Sequence, residues 1–202
     1  MPRCTLANDD KPEAVVGVYA EIYRVLKPDT FFVSFSGYPK LDAFVHAWTL
    51  AGFDTVGHLV WPKPNASSQR YVRVTHESAY LLAKGRPKIP EYPLADVPPW
   101  EYTGNIGHPT EKAIGVIMPL VEKFSPPGGI VLDAFSGSGS TLVAAALVGR
   151  RYLGIELKEK YCRLAERRLA GVERFLRGQP QRPATKGNAP VPGRYSPSCF
   201  DT

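Results

Sequence analysis

Cysteine is scarce in this chain: three in 202 residues, at Cys4, Cys162 and Cys199, with no paired spacing. That excludes a disulfide framework and a zinc site built on cysteines. Long apolar runs are missing too. The stretch 142–148 falls well short of the roughly 20 residues that cross a bilayer. Nothing behind Met1-Pro2-Arg3-Cys4 resembles the apolar stretch of a secretory signal. No internal repeat is present. Charge of one sign is in modest excess, 25 Lys and Arg against 19 Asp and Glu, a formal +6. A ribosomal or histone-like chain would be far more basic, so this balance permits a polyanionic partner without requiring one. These absences point to a soluble cytoplasmic protein with no membrane contact. What is present is a hydrophobic share of 44% in a chain the length of one ordinary domain. That share excludes wholesale disorder.

The 18 glycines and 20 prolines are unevenly placed. One cluster lies in 84–109. Another fills 178–202, which has almost no large apolar residue before Phe200 and reads as a flexible tail. Between these clusters, helical and strand periods alternate. Asp10 is placed to cap a first helix, with Pro12 in its first turn. Val15, Val18, Tyr19, Ile22 and Leu26 follow on one face, and Lys27-Pro28 ends the run. Thr30 to Phe35 reads as a buried strand. Leu41, Phe44, Val45 and Trp48 form the next helical stripe, with His46 a structural residue within it and Gly52 closing it. Residues 56–61 and 79–83 read as strands around the basic segment 62–77. Ile114, Ile117, Met118, Val121 and Phe124 space as a helix face, with a kink expected at Pro119. A strand at 130–132, a helix at 140–148, a strand at 152–155 and a helix at 159–177 complete the series. The last helix carries Tyr161, Leu164, Ala165, Leu169 and Val172 on its apolar face. It also has two favourable i,i+4 pairs, Glu159–Arg163 and Glu173–Arg177. The alternation predicts an α/β domain with a mostly parallel sheet.

The sharpest local motif is Asp133-Ala-Phe135-Ser-Gly137-Ser138-Gly139-Ser140, between the strand at 130–132 and the next helix. In open α/β sheets, ligands bind beyond the carboxyl ends of strands. Two glycines let the backbone turn sharply and let a ligand come close. The helix N-terminus offers N–H groups to an anionic moiety. A phosphate loop would need a lysine that is absent, and a dinucleotide fingerprint would need glycine where Leu142 stands. Glu156 ends the following strand, 23 residues after Asp133, where an acidic side chain can accept hydrogen bonds from ribose hydroxyls. A Gly/Ser turn can also be a plain connector, and Glu156 can simply cap the next helix.

With Gly154-Ile-Glu156 and His108-Pro-Thr-Glu-Lys112, the motif stands in the order and spacing of a known group. The chain closely resembles the S-adenosylmethionine-dependent amino-group DNA methyltransferases of the "beta" motif order, over about 5–170. Tyr23-Arg-Val-Leu-Lys-Pro28, Trp61-Pro-Lys-Pro64 and Thr103-Gly-Asn105 match as well. The resemblance implies a Rossmann-like fold spanning 1–177. It implies S-adenosylmethionine as cofactor and double-stranded DNA as partner, with no metal. The reaction it implies is methyl transfer to an exocyclic amino group, adenine N6 first and cytosine N4 second. Asp133, Phe135, Gly137, Ser138 and Gly139 match the glycine loop of the cofactor pocket, and Glu156 the acidic residue on the ribose. His108, Pro109, Thr110 and Lys112 match the segment beside the methionine part. The family usually has Pro at Ala134, Thr at Ser140 and Pro at Ala113.

One family element does not occur in these 202 residues: the Asp/Asn/Ser-Pro-Pro-aromatic tetrapeptide that binds the target amine and stacks on the flipped base. Val97-Pro-Pro-Trp100 lacks the polar first residue, and Ser125-Pro-Pro-Gly128 lacks the aromatic. The expectation is therefore an N-terminally truncated methyltransferase with one sheet strand missing and with its own turnover in question. A cofactor- or DNA-binding chain without chemistry is the rival. In the region 60–107, Lys63, Arg70, Tyr71 and Arg73, followed by His76, interleave basic and aromatic side chains as phosphate and base contacts require. The plain alternative is a solvated hairpin loop; the resemblance favours DNA. The Lys84, Arg86 and Lys88 cluster reads as a solvated face. A homodimer is left open.

Overall fold

The computed structural model describes residues 13–36, 40–68, 71–99 and 112–178, with 13–16 and 64–68 as backbone only. Asp10, Pro12 and residues 179–202 of the expected tail lie outside the described residues. The chain divides into two units, 1–101 with 122–125, and 102–121 with 126–202. Helix α1 spans Glu13–Val25, β1 Thr30–Phe35, α2 Leu41–Ala51, β2 Asp54–Ser68 and β3 Arg73–Lys84. Then come α3 at Ile114–Phe124, β4 at Ile130–Asp133, α4 at Ser140–Leu147, β5 at Arg151–Gly154 and α5 at Glu159–Gly178.

The first three strands form one sheet in the order β1-β3-β2, and β3 runs antiparallel to both neighbours. Among the described residues, β3 thus departs from the parallel pairing expected from the alternation. A crossover through α2 carries β2 into the same direction as β1, but a short hairpin joins β2 to β3, and a hairpin can only reverse direction. Among the described residues, only β4 and β5 pair in parallel, from Ile130 opposite Arg151 to Asp133 opposite Gly154. Described partners cover one edge each of β1 and β4. The basic segment is not a loop either. Both its arms are strand, with a register shift between Pro62 and Ser67 that accommodates Pro62 and Pro64 where a regular ladder would not.

The core of the first unit is aromatic. Trp48 is fully buried, and Tyr19 meets it edge-on at 6.3 Å and Phe44 at 6.2 Å. Burial pushes the Tyr19 phenol pKa up. The stripe of α2 is rotated from its expected centre: Ala47 and Trp48 are buried, whereas Val45 and His46 are exposed. His46 therefore has no core role. Gly52 ends α2 at φ 98°, the left-handed cap for which glycine is suited.

Lys84 departs most from its expected place on a solvated face. Its Nζ donates to the carbonyls of Tyr23 at 2.5 Å and Leu26 at 2.7 Å, and lies 4.5 Å from the Tyr23 ring centroid. It serves carbonyls at the C-terminal end of α1 from a strand about 60 residues away. Lys84→Met should lower the free energy of unfolding by about 1–2 kcal/mol. An unchanged urea midpoint would show that water replaces the ammonium at no cost.

In the second unit, Val116, Ile117, Leu120 and Val121 are the buried residues of α3, one position round from the expected face, and the helix continues through Pro119. The face of α5 is centred on Tyr161, Ala165 and Val172. Both expected ion pairs form, Glu159–Arg163 at 2.5 Å and Glu173–Arg177 at 3.4 Å.

Candidate cofactor site and nucleic-acid interface

The loop between β4 and α4 is built on alternation. Ser136, Ser138 and Ser140 are buried, while Phe135 is 56% exposed. Gly137 and Gly139 stand between the serines at φ 50° and 82°. The three buried hydroxyls are all satisfied. Ser136 Oγ donates to the Ile155 carbonyl at 3.3 Å, and the other two accept from Arg168. Gly139 is the N-cap of α4, and no side chain caps that helix. Its first N–H groups are thus left to water or a ligand. Gly139 is also the point of closest packing on α5, where a Cβ would lie 2.7 Å from Ala165 Cβ.

Glu156 follows β5 and reaches back to the loop. Its Oε2 accepts the Gly137 N–H at 3.0 Å, and its Oε1 accepts the Lys158 N–H at 2.8 Å, one residue before α5. One carboxylate thus ties the loop to the segment just ahead of α5. Each oxygen keeps a further lone pair for a ligand donor. Asp133 Oδ1 accepts the Phe135 N–H at 3.0 Å, which turns the chain out of β4. Helix α4 and the loop lie close against β5 because Gly154 has no side chain: a Cβ there would lie 2.5 Å from Leu142 Cδ1 and 3.0 Å from Ser136 Oγ. Ile155 and Leu157 are exposed beside Glu156 at 53% and 86%.

Asp133, Phe135, Gly137, Ser138, Gly139 and Glu156 are therefore brought together in one unit. Lys112 stands half-buried just before α3, while His108, Pro109 and Thr110 lie outside the described residues. Arg168 was missed by periodicity, although a signal existed. It falls between Ala165 and Val172 at helical spacing on the inward side of α5, where an arginine needs a partner.

The hairpin carries the other candidate residues. Tyr71 is 83% exposed, next to exposed Val72 and Arg73. Lys63 is different: its Nζ pairs with Glu77 Oε1 at 2.8 Å, with both side chains about a quarter exposed. Its charge is used across the hairpin. Arg70 lies outside the described residues. A cavity of about 450 Å³ also lies in the first unit, among Phe31, His58, Leu81, Arg86, Leu94 and Phe124. None of the candidate site residues lines it.

A glycine loop from a parallel strand into an uncapped helix, with an acidic residue just beyond the next strand, defines a Rossmann-like domain for a nucleoside-bearing cofactor. The chain belongs to the N6/N4 DNA methylase family, whose model, described as DNA methylase, matches residues 9–167. It is a family of S-adenosylmethionine-dependent DNA methyltransferases. One relative, named "Putative methylase YubD", from Escherichia coli K12, is 52% identical over 85% of this chain and 76% of its own length. The DNA adenine methyltransferase YhdJ of the same organism is 40% identical over 31% of this chain and 21% of its own length. TTHA0409 from Thermus thermophilus, solved with S-adenosyl-L-methionine, is 25% identical over 88% of this chain and 83% of its own, with a TM-score of 0.64. The residues present fit that cofactor. The α4 N-terminus carries no side-chain cap, and the Glu156 carboxylate has acceptor capacity to spare.

Proposed function

We propose that this chain binds S-adenosylmethionine at its glycine loop and serves methyl transfer to an exocyclic amino group of DNA. Adenine N6 is the first target and cytosine N4 the second. The observation that carries the cofactor assignment is the Glu156 carboxylate, held at the end of β5 by the Gly137 N–H. When bound, the cofactor supplies an electrophilic methyl group. The protein's work is orientation. Glu156 accepts from the ribose hydroxyls, Gly137 and Gly139 set the turns of the loop that the nucleoside meets, and exposed Phe135, Ile155 and Leu157 offer apolar surface to the adenine. Lys112, with His108, Pro109 and Thr110, is assigned to the methionine end, where an ammonium suits a carboxylate. The similarity to YhdJ, by its name an adenine enzyme, supports adenine over cytosine.

The hairpin is assigned to DNA. Arg70 and Arg73 contact phosphate and Tyr71 stacks, while Lys63, paired to Glu77, stiffens the arms that present them. Binding should be salt-sensitive, and Arg70→Ala with Arg73→Ala should lower the log–log salt slope by about 2. Equal slopes for wild type and the double variant would move the DNA contact elsewhere.

The second reading, cofactor and DNA binding without transfer, is favoured by one observation. None of these 202 residues forms the Pro-Pro tetrapeptide that the resemblance assigns to the target amine. A radiolabelled methyl-transfer assay, followed by nucleoside analysis of the DNA, decides between the readings. N6-methyladenine formed by these residues would show that another group in the chain accepts the amine. N4-methylcytosine would reverse the order of targets.

A further inference from the structure

Three groups from one stretch of chain grip the glycine loop. Glu156 takes the Gly137 N–H, Ala165 packs under Gly139, and Arg168 takes the two serines on either side of Gly139. The first contact belongs to the cofactor site already described. The Arg168 contacts do not. Its Nη1 donates to the Ser138 carbonyl at 2.9 Å, to Ser138 Oγ at 3.0 Å and to Ser140 Oγ at 3.3 Å.

We infer that Arg168 is a positioning residue for cofactor binding: it holds the serines of the glycine loop against α5 and so keeps the N-terminus of α4 open. The inference rests on the cofactor reading of the loop. Its physical basis is a competition. Serine hydroxyls readily accept from the exposed N–H groups of a helix start. Here Ser138 and Ser140 flank the N-cap Gly139, yet no side chain caps α4. The guanidinium occupies both hydroxyls and a carbonyl besides. A charged donor forms stronger hydrogen bonds than a neutral amide, so it wins the serines. Without it, Ser138 and Ser140 are free to turn toward the amides that the ligand needs. The left-handed hinge at Gly139 would then keep its backbone bonds to Ser136 and Val143 and the Ala165 contact, but lose the side-chain clamp on the residues to either side. The effect reaches the cofactor through the loop, because Arg168 is bonded to the serines and Glu156 to the preceding glycine.

Arg168→Met keeps the aliphatic stem and helix propensity while removing the donors. Arg168→Lys keeps the charge, but its tip falls about one bond short of the serines. Calorimetry with S-adenosylmethionine on the full chain should give affinities in the order wild type, Lys, Met, with Met about tenfold weaker or more. Amide exchange without ligand should accelerate about tenfold across 137–141 in the Met variant and stay unchanged at 169–172. The inference is overturned if folded Arg168→Met binds within twofold of wild type. It is also overturned if exchange rises equally in the loop and along α5, since that marks general loosening. Should the Met variant fail to fold, Arg168→Lys decides: wild-type affinity together with wild-type loop exchange overturns the inference. If wild-type protein does not bind S-adenosylmethionine, the cofactor reading fails, and the exchange pattern still tells whether Arg168 orders the loop.

Discussion

Glu156→Ala should weaken S-adenosylmethionine binding by about a hundredfold or more, roughly 3 kcal/mol, the largest loss from any single side chain at the site. The size follows from a double role. As the ribose acceptor, the carboxylate makes charge-assisted hydrogen bonds, the stronger kind. It also anchors the loop, through Gly137 at 3.0 Å, and the approach to α5, through Lys158 at 2.8 Å. Alanine abolishes both roles together. Glu156→Gln keeps one acceptor oxygen in nearly the same place and should fall between the two. Titration calorimetry on folded protein gives the ordering. Unchanged affinity in the alanine variant would remove Glu156 from the ribose. Equal losses in Ala and Gln would mean that the charge, rather than the anchoring of the loop, carries the effect.

Gly139→Ala should destabilise the second unit by an amount on the order of 2–5 kcal/mol and abolish measurable cofactor binding. Two separate terms add. At φ 82° an L-residue is strained. The new methyl would also lie 2.7 Å from Ala165 Cβ and 3.1 Å from its Cα, so a helix backbone must move. Ala165→Gly in the same chain restores the space but not the backbone strain, so a partial recovery is expected. Gly171→Ala is the control: it sits inside α5 with nothing within 4 Å of the added carbon. It should be neutral or stabilising by up to about 1 kcal/mol. Urea titration of the three variants gives the comparison. Wild-type stability in Gly139→Ala would show that the loop reaches α4 by another path.

The sequence alone determined what is written in contiguous residues. An apolar strand, two spaced glycines and a helix in that order are enough to place the loop from Asp133 to Ser140. Glu156 follows so closely that the short unit between them can only bring it back beside the loop. The two ion pairs on α5 were legible for the same reason, because a helix sets their spacing without help. The tertiary structure decided whatever depends on residues far apart. Periodicity recorded that 79–83 is buried strand, but the direction of β3 between β1 and β2 comes from a hairpin whose pairing reaches out to Ser68 and Arg73. It recorded that α2 and α3 have apolar faces, but the residues at their centres are chosen by the neighbours they meet. Charged residues were the least legible. Lys84 and Lys63 carry no local sign of a partner and read as surface and as a ligand contact, and the inward spacing of Arg168 does not name its partner. In the folded chain, the Tyr23 and Leu26 carbonyls, the Glu77 carboxylate and the Ser138–Ser140 loop claim them. A cation leaves water only where fixed acceptors replace its hydration, and folding alone assembles those acceptors from distant parts of the chain.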